Sequence, residues 1–380
     1  MFVLVKKIKS LIQGTMIDKY LRLFICYLSK FYYRNVNPKK HSQFEKSLII
    51  LYGGMGDSIL LFPMIKKLTQ KYDVDVLIED KFIEITEILP KNVNCIKYKK
   101  KEIFNELSNY RVKNKRFILL QQSPIFEFLI FNFILGRPPV IGFIYNQRIL
   151  EMEGLSEKFS IQTSCNKIKK YELFFDLISK KIKYLNSKVK SYSKQNTTPK
   201  NTNKNYFVLA PSKTLTWKGV GLLEHSVYLD TMNYIYKKTK LIPVLVGSKE
   251  DLPMIKNLII NKTKDLKFKN LVGKTNLKDL IQIIKNANFV ISNDNGIHHL
   301  SNYLNKKTLT FFTFSSYRTL KWNKKNSFFI FNKKYKCMPC IGNESGPFDN
   351  YPFICPWKIR CKNSITIDNV IKKIEKIKLI

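Results

Sequence analysis

Apolar runs that end in small or glycine-rich turns, each followed by apolar residues at helical spacing, recur in two blocks of the chain. The first block opens with Ser47–Tyr52 (SLIILY), which stops at Gly53-Gly54-Met55-Gly56. Ile59, Leu60, Pro63, Ile65 and Leu68 then recur every three or four positions. That order, strand then glycine turn then helix, opens a parallel α/β unit, because strands buried on both faces read as continuous apolar runs. Val74–Ile78, Cys95–Tyr98, Phe117–Gln121 and Val140–Phe143 read as further strands, and Ile168–Tyr184 as a long helix. A polar stretch rich in Lys, Asn, Ser and Thr, Asn186–Asn205, reads as a linker. Beyond it the alternation restarts, with strands at Tyr206–Ala210, Ile242–Gly247, Phe289–Ser292 and Thr308–Phe312. Helical spacing covers Leu223–Lys238, Leu252–Ile260, Leu277–Asn286 and Ile297–Leu304. The pattern predicts an α/β chain of two doubly wound domains facing a cleft, residues 47–185 and 206–380. Ligands of such sheets bind at the carboxyl ends of the strands.

The first 46 residues read differently. Ile8, Leu11, Ile12, then Leu21, Phe24, Ile25, Leu28 and Phe31 recur at helical spacing, with Lys19, Arg22, Lys30 and Arg34 among them. This is an amphipathic helical extension that either lies on a membrane or packs on the domain surface. Lys6, Lys7 and Lys9 follow the apolar start rather than precede it, so no export signal is expected. The most apolar internal stretch, Phe117–Leu135, holds Gln121, Gln122, Glu127 and Asn132, and so reads as strand plus helix rather than a span.

Composition sharpens this picture only in part. Of 380 residues, 67 are Lys or Arg and 28 are Asp or Glu, a formal charge of +39, while 44% are hydrophobic, which excludes a disordered chain. The excess is mostly Lys spread among Asn and Ile, with no Arg-rich stripe or nucleic-acid motif, so no specific nucleic-acid partner is expected. It reads as a solvated lysine coat or as affinity for an anionic membrane surface.

Four constellations could carry chemistry. In Gly53-Gly54-Met55-Gly56-Asp57 the glycines allow a tight turn and Asp57 sits at the helix start, either as a cap or projecting into the cleft. In Ser292-Asn293-Asp294-Asn295-Gly296-Ile297-His298-His299 a strand runs through a polar turn into a helix, and the amides of Asn295, Gly296 and Ile297 suit a diphosphate. His299 lies one turn into that helix, and adjacent histidines on a helix diverge, so at most one of the pair should contact a ligand. The stretch Pro211-Ser212-Lys213-Thr214-Leu215-Thr216-Trp217-Lys218-Gly219 combines hydroxyls with two ammonium groups, suited to phosphate. Finally, Cys337 and Cys340 have knuckle spacing, with Cys355 and Cys361 farther on, which fits a structural Zn or Fe site or four free thiols. Asp73-Val74-Asp75, a triplet that could hold a divalent metal elsewhere, reads here as a turn and strand start.

In their order and spacing, Gly56-Asp57 with Pro63, Asn270-Leu271-Val272-Gly273 with Thr275 and Leu277, Ser292–Leu300, and Cys337-Met338-Pro339-Cys340 resemble glycosyltransferase family 9, the ADP-heptose:lipopolysaccharide heptosyltransferases. The resemblance runs from about Ser47 to the C-terminus. It implies a GT-B fold and an inverting transfer that needs no metal, with Asp57 as general base. Residues 47–185 would bind the acceptor and 206–380 the nucleotide sugar. Asp294, Asn295, Gly296 and His299 match the family's D-[ST]-G-x-x-H segment, with Asn295 in place of the hydroxyl residue. The family's K-x-W-P lysine, which stabilises the leaving diphosphate, has no exact counterpart: Lys218 follows Trp217 and no proline follows. Lys218 is the candidate and Lys213 the reserve, with Ser212 and Thr214 beside them. Glu250 stands where the family tends to place an acidic contact to the donor. The implied partners are ADP-heptose, lipopolysaccharide core/lipid A and the anionic inner face of the inner membrane. The alternatives are a protein O-heptosyltransferase and a non-catalytic binder of anionic lipid or nucleic acid.

Overall fold

A computed structural model describes residues 45–114, 117–121, 131, 133–136, 138, 140–145, 157–161, 205–211, 222–262, 266–322, 324–339, 358 and 360–380. The N-terminal amphipathic segment, the expected helix Ile168–Tyr184, the linker, the loop bearing Ser212, Lys213, Thr214 and Lys218, and Cys340 and Cys355 lie outside these residues. Two compact units form. One comprises Met1–Gly53, Leu61–Ser193 and Asn350–Pro352; the other comprises Gly54–Leu60, Lys194–Asp349 and Phe353–Ile380.

The first unit is built on six parallel strands: β1 (Lys46–Leu51), β2 (Asp73–Glu79), β3 (Asn94–Tyr98), β4 (Phe117–Gln121), β5 (Val140–Tyr145) and β6 (Glu157–Ile161), in the order β3-β2-β1-β4-β5-β6. Helix α1 (Met55–Leu68) follows β1, and α2 (Ile103–Lys113) follows β3. Apolar residues face one another across β1 and its two neighbours, in pairs such as Leu48↔Leu119 and Ile50↔Leu77. Leu48, Ile50 and Leu77 are fully buried with Leu107 and Leu119, and this apolar burial at about 25 cal/mol per Å² drives the layer together. Asp73-Val74-Asp75 opens β2, at the amino end of the sheet, as the sequence suggests. Asp75 is buried and spent on structure: it accepts from Tyr110 Oη at 2.7 Å and Asn94 Nδ2 at 2.9 Å, and pairs with Lys46 at 3.1 Å. Burial, then the neighbouring Asp75 charge and hydrogen bond, hold the Tyr110 phenol well above its usual range.

The second unit repeats the plan with β7 (Tyr206–Ala210), β8 (Ile242–Leu245), β9 (Lys269–Asn270), β10 (Val290–Asn293), β11 (Thr308–Phe312) and β12 (Ser327–Phe331), all parallel and ordered β12-β11-β10-β7-β8-β9. Its helices are α3 (His225–Thr239), α4 (Leu252–Leu258), α5 (Leu277–Asn286), α6 (Gly296–Tyr303), α7 (Tyr317–Leu320) and α8 (Ile367–Lys376). Phe207, Leu209, Leu245, Ile291, Leu309, Phe311 and Ile330 are the strands' part of the core. Both sheets therefore wind outward from a first strand in the sense 3-2-1-4-5-6. In the second unit the winding reverses between β7 and β10, and in sheets of this kind ligands bind outside the carboxyl ends of the strands at such a point. No helix among the described residues is long and apolar enough to cross a membrane.

Candidate functional site

The turn after β10 is held from three sides. Asn295 is the N-cap of α6: its Oδ1 accepts from the amides of Ile297 and His298 at 2.9 and 3.0 Å. Its Nδ2 donates to the Ala210 carbonyl at 3.1 Å, tying the turn to the end of β7. Asn, like Ser and Thr, caps a helix by lending a side-chain acceptor to its first amides, which is what Asn295 does here. The cap also corrects one expectation. The Ile297 amide is occupied by the chain's own side chain, so it is not among the donors presented to a diphosphate. Asn293, fully buried, bonds Tyr228 Oη at 2.9 Å through Nδ2, and that hydroxyl also accepts from the Leu223 amide at 3.0 Å. Burial pushes the Tyr228 phenol up to about 12, against these hydrogen bonds.

Asp294 lies at the head of the turn, its side chain 10% exposed, and accepts from Ser315 Oγ on the segment leaving β11. His299 Nε2 is 4.0 Å from Asp294 Oδ1, and His299 Nδ1 is 3.2 Å from the indole nitrogen of Trp322, itself buried. His298 is a structural neighbour. Its Nε2 faces the Leu320 carbonyl at 3.4 Å, and its Nδ1 faces Thr310 Oγ1 at 2.6 Å and Asn302 Nδ2 at 3.1 Å. Asp294, His298 and His299 each place a ligand-type atom within 4.8 Å of the others. Both ring nitrogens of His298 are thus engaged by the chain's own groups, which leaves neither open to a cation.

Residues 54–60 belong to the same unit, and they bring the start of α1 to this turn. A Cβ added to Gly56 would stand 2.9 Å from His299 Cδ2 and 3.4 Å from Gly296 Cα. One added to Gly296 would meet Met55 Cε at 2.5 Å and the Gly56 nitrogen at 3.4 Å. Two helix starts thus touch through glycines, and only glycine allows that approach. Asp57 is the next residue. It is the third residue of α1 rather than its cap, is exposed, and its Oδ2 lies within 3.7 Å of where a Gly54 side chain would begin. A carboxylate in the first turn is favoured by the helix dipole.

The Asn270–Gly273 motif positions the neighbouring turn. The Leu271 amide donates to Leu245 O at 2.9 Å, the Gly273 amide to Gly247 O at 3.0 Å, and Val272 N to Asn270 Oδ1 at 3.1 Å. Gly273, at φ +69°, lets Lys249 Cα approach to 3.0 Å of an added Cβ. The short 3-10 turn Lys249–Asp251 is closed by Ser248 and Asp251, and it carries Glu250, exposed, at the carboxyl end of β8.

The sequence reading missed Tyr228, Ser315 and Trp322, and gave Asn293 no role of its own within the turn. Ser315 and Ser316 follow β11 at its carboxyl end, so a small polar pair there was a usable signal. Tyr228 and Trp322 stand in no motif. Of the four clustered thiols, Cys361 is buried and Cys337 half-buried, both unbridged.

The profile of glycosyltransferase family 9 (heptosyltransferase) matches residues 117–349, more than half of the chain. A lipooligosaccharide heptosyltransferase 2 of Campylobacter jejuni subsp. jejuni serotype O:6 is 30% identical over 120 residues, 31% of this chain. The match spans about a third of that relative, 34% of its length. Among solved structures, the E. coli ADP-heptose lps heptosyltransferase II aligns with TM-score 0.62 at 15% identity, covering 88% of this chain and 98% of that one. An iron-containing dodecameric glycosyltransferase, TibC, from enterotoxigenic E. coli aligns with TM-score 0.53 at 12% identity, covering 89% of this chain and 77% of that one. At these identities the likeness is one of fold, and the fold is GT-B.

Proposed function

The chain belongs to glycosyltransferase family 9, and from that premise we propose that it transfers heptose from ADP-heptose to lipopolysaccharide core/lipid A, with inversion and without a metal in the chemistry. One observation carries the reading: the helix turn bearing Asp57 packs, through Gly56, directly on Gly296 and His299 of the turn that follows β10. In this reading the base and the anion-binding turn lie near enough to act on one sugar.

In this reading Asp57 accepts the proton of the acceptor hydroxyl as its oxygen attacks the anomeric carbon. The bond from that carbon to the diphosphate breaks, and its electron pair leaves on ADP. The departing charge needs fixed donors. The turn 294–299 supplies the Gly296 amide and the His299 imidazole, and Lys218, with Lys213 in reserve, supplies a cation. Glu250 is assigned to the sugar nucleotide. Residues 47–185 are assigned to the acceptor and residues 206–380 to the donor. The basic surface and amphipathic start suit a peripheral position on the inner face of the cytoplasmic membrane.

A second reading, transfer to Ser or Thr hydroxyls of a protein, draws on the cysteine tail and the likeness in fold to an iron-containing glycosyltransferase. Cys337, Cys340, Cys355 and Cys361 are a donor set suited to structural Zn or Fe, and Cys337 and Cys361 are unbridged, as ligation requires. Metal analysis of the purified protein, with and without these cysteines, tests that site.

The test of the main reading is thermal stabilisation by nucleotide sugars. A ligand at one hundred times its Kd adds about 2.7 kcal/mol to stability. ADP-heptose is expected to raise the Tm, with UDP- and GDP-sugars weaker. No stabilisation by any nucleotide sugar contradicts the reading and favours a non-catalytic binder of anionic surfaces.

A further inference from the structure

We infer that Trp322 is a positioning residue that holds His299 neutral, with its proton on Nε2. The inference rests on reading residues 294–299 as the sugar-nucleotide site.

An indole N–H can only donate. At 3.2 Å from His299 Nδ1 it therefore requires a lone pair there, which places the ring's one proton on Nε2. Nε2 is the nitrogen on the Asp294 side, 4.0 Å from Oδ1, while the adjacent Cδ2 lies against Gly56. The proton is thereby pointed at the turn that receives the diphosphate. A second proton on Nδ1 would set two N–H groups head to head, so Trp322 opposes formation of the imidazolium. A proton on Nδ1 would also break the bond to the indole and release the ring from the orientation that aims Nε2 at the turn.

Neither His298 nor Lys324 takes the place of Trp322. His298 touches it ring to ring, with centroids 4.6 Å apart, but spends both nitrogens elsewhere. Lys324 lies over the Trp322 ring at 5.2 Å, and donates to the Asn302 carbonyl at 2.9 Å. Asp57, one residue beyond Gly56, and Asp294 both favour a cation at His299. Trp322 works against them. The indole is itself fixed, buried at 3% exposure and packed edge-on against Tyr303.

The experiment uses the full chain, whose four histidines make a nitrogen-15 histidine spectrum tractable. In the wild type near neutral pH, His299 should show a protonated Nε2 and a bare Nδ1. In Trp322→Phe, Nδ1 should take up a proton as pH falls from about 8 to 6, the range in which imidazoles titrate. The KM for ADP-heptose should climb over the same range in the variant only, by about tenfold once nine molecules in ten carry the wrong form. The kcat at saturating donor should change less. A wild-type His299 already protonated on Nδ1 overturns the inference, and needs no variant to be seen. Unchanged protonation in Trp322→Phe, or changed protonation with an unchanged KM, overturns it too. ADP that fails to bind the wild type would sink the sugar-transfer reading, while the spectrum would still decide the role of Trp322 in setting the tautomer.

Discussion

Gly56→Ala tests the approach of the two helix starts with a single methyl group. The added Cβ would stand 2.9 Å from His299 Cδ2, and carbon atoms prefer about 3.5–4.0 Å, so something must move by about 0.6 Å. His299 cannot easily yield, being 7% exposed and bonded to Trp322. The other neighbour, Gly296 Cα at 3.4 Å, is backbone. The strain therefore falls on the first turn of α1, which carries Asp57. Overpacking typically costs about 1–3 kcal/mol, and replacing Gly by Ala inside a helix returns up to about 1 kcal/mol, so the net loss of stability is modest. Catalysis is the sharper readout, since misplacing a catalytic group by about 1 Å can cost about a hundredfold. Steady-state transfer from ADP-heptose should show kcat down by about 10- to 100-fold, with a Tm only slightly lowered. Gly296→Ala should be milder, because its closest clash is the mobile end of Met55, and trimming Met55 to Ala should recover much of the loss. Wild-type kcat and Tm in Gly56→Ala would refute the contact.

Asn295→Ala should destabilise by about 1 kcal/mol and weaken ADP binding, whereas Asn295→Ser keeps the cap and loses only the bond to Ala210; urea titration and calorimetry separate the two. Tyr228→Phe should cost about 1–3 kcal/mol by removing the acceptor of the Leu223 amide and the hydroxyl partner of Asn293. It should also flatten the alkaline limb of the stability curve. The folded phenol titrates at about 12 against 10 unfolded, so its contribution is intact below pH 10. Between pH 10 and 12 only the unfolded state releases the proton, and stability falls by about 1.4 kcal/mol per pH unit from this group. Unfolding curves of wild type and variant across pH 9–12 should converge as pH rises; parallel curves would refute the assignment.

Much of this architecture can be read from the amino-acid order alone because buried parallel strands are long apolar runs. SLIILY, YFVLA and IPVLV each mark a strand within a residue or two. Lys269–Asn270 escapes because it is a two-residue strand of polar residues, paired only by its backbone. Ser327–Phe331 (SFFIF) is an apolar run that was legible in principle, a half-buried strand at the sheet's edge that follows no motif. Helix α8 is strongly amphipathic and capped by Thr366 and Asn369, a signal that was present but lay beyond the last motif. In the site, Asp294, Gly296 and His299 stand in one sequence motif and are legible together. Their supports are not, since Tyr228 and Trp322 reach the turn from 65 and 23 residues away. Proximity of that kind is written in the packing. The occupied Ile297 amide shows the converse: a polar turn looks like an anion site in sequence until its own Asn is seen to fill part of it.

The central claim is that Asp57 is the base of a sugar transfer carried out beside the turn 294–299. Asp57→Asn preserves size and removes the negative charge, so it tests the claim most directly. Transfer from ADP-heptose to lipid A–core should fall by about 10²- to 10⁴-fold, the range general-base catalysis supplies, while ADP binds as tightly as to the wild type. Transfer retained at near wild-type rate, with ADP still bound, would contradict it.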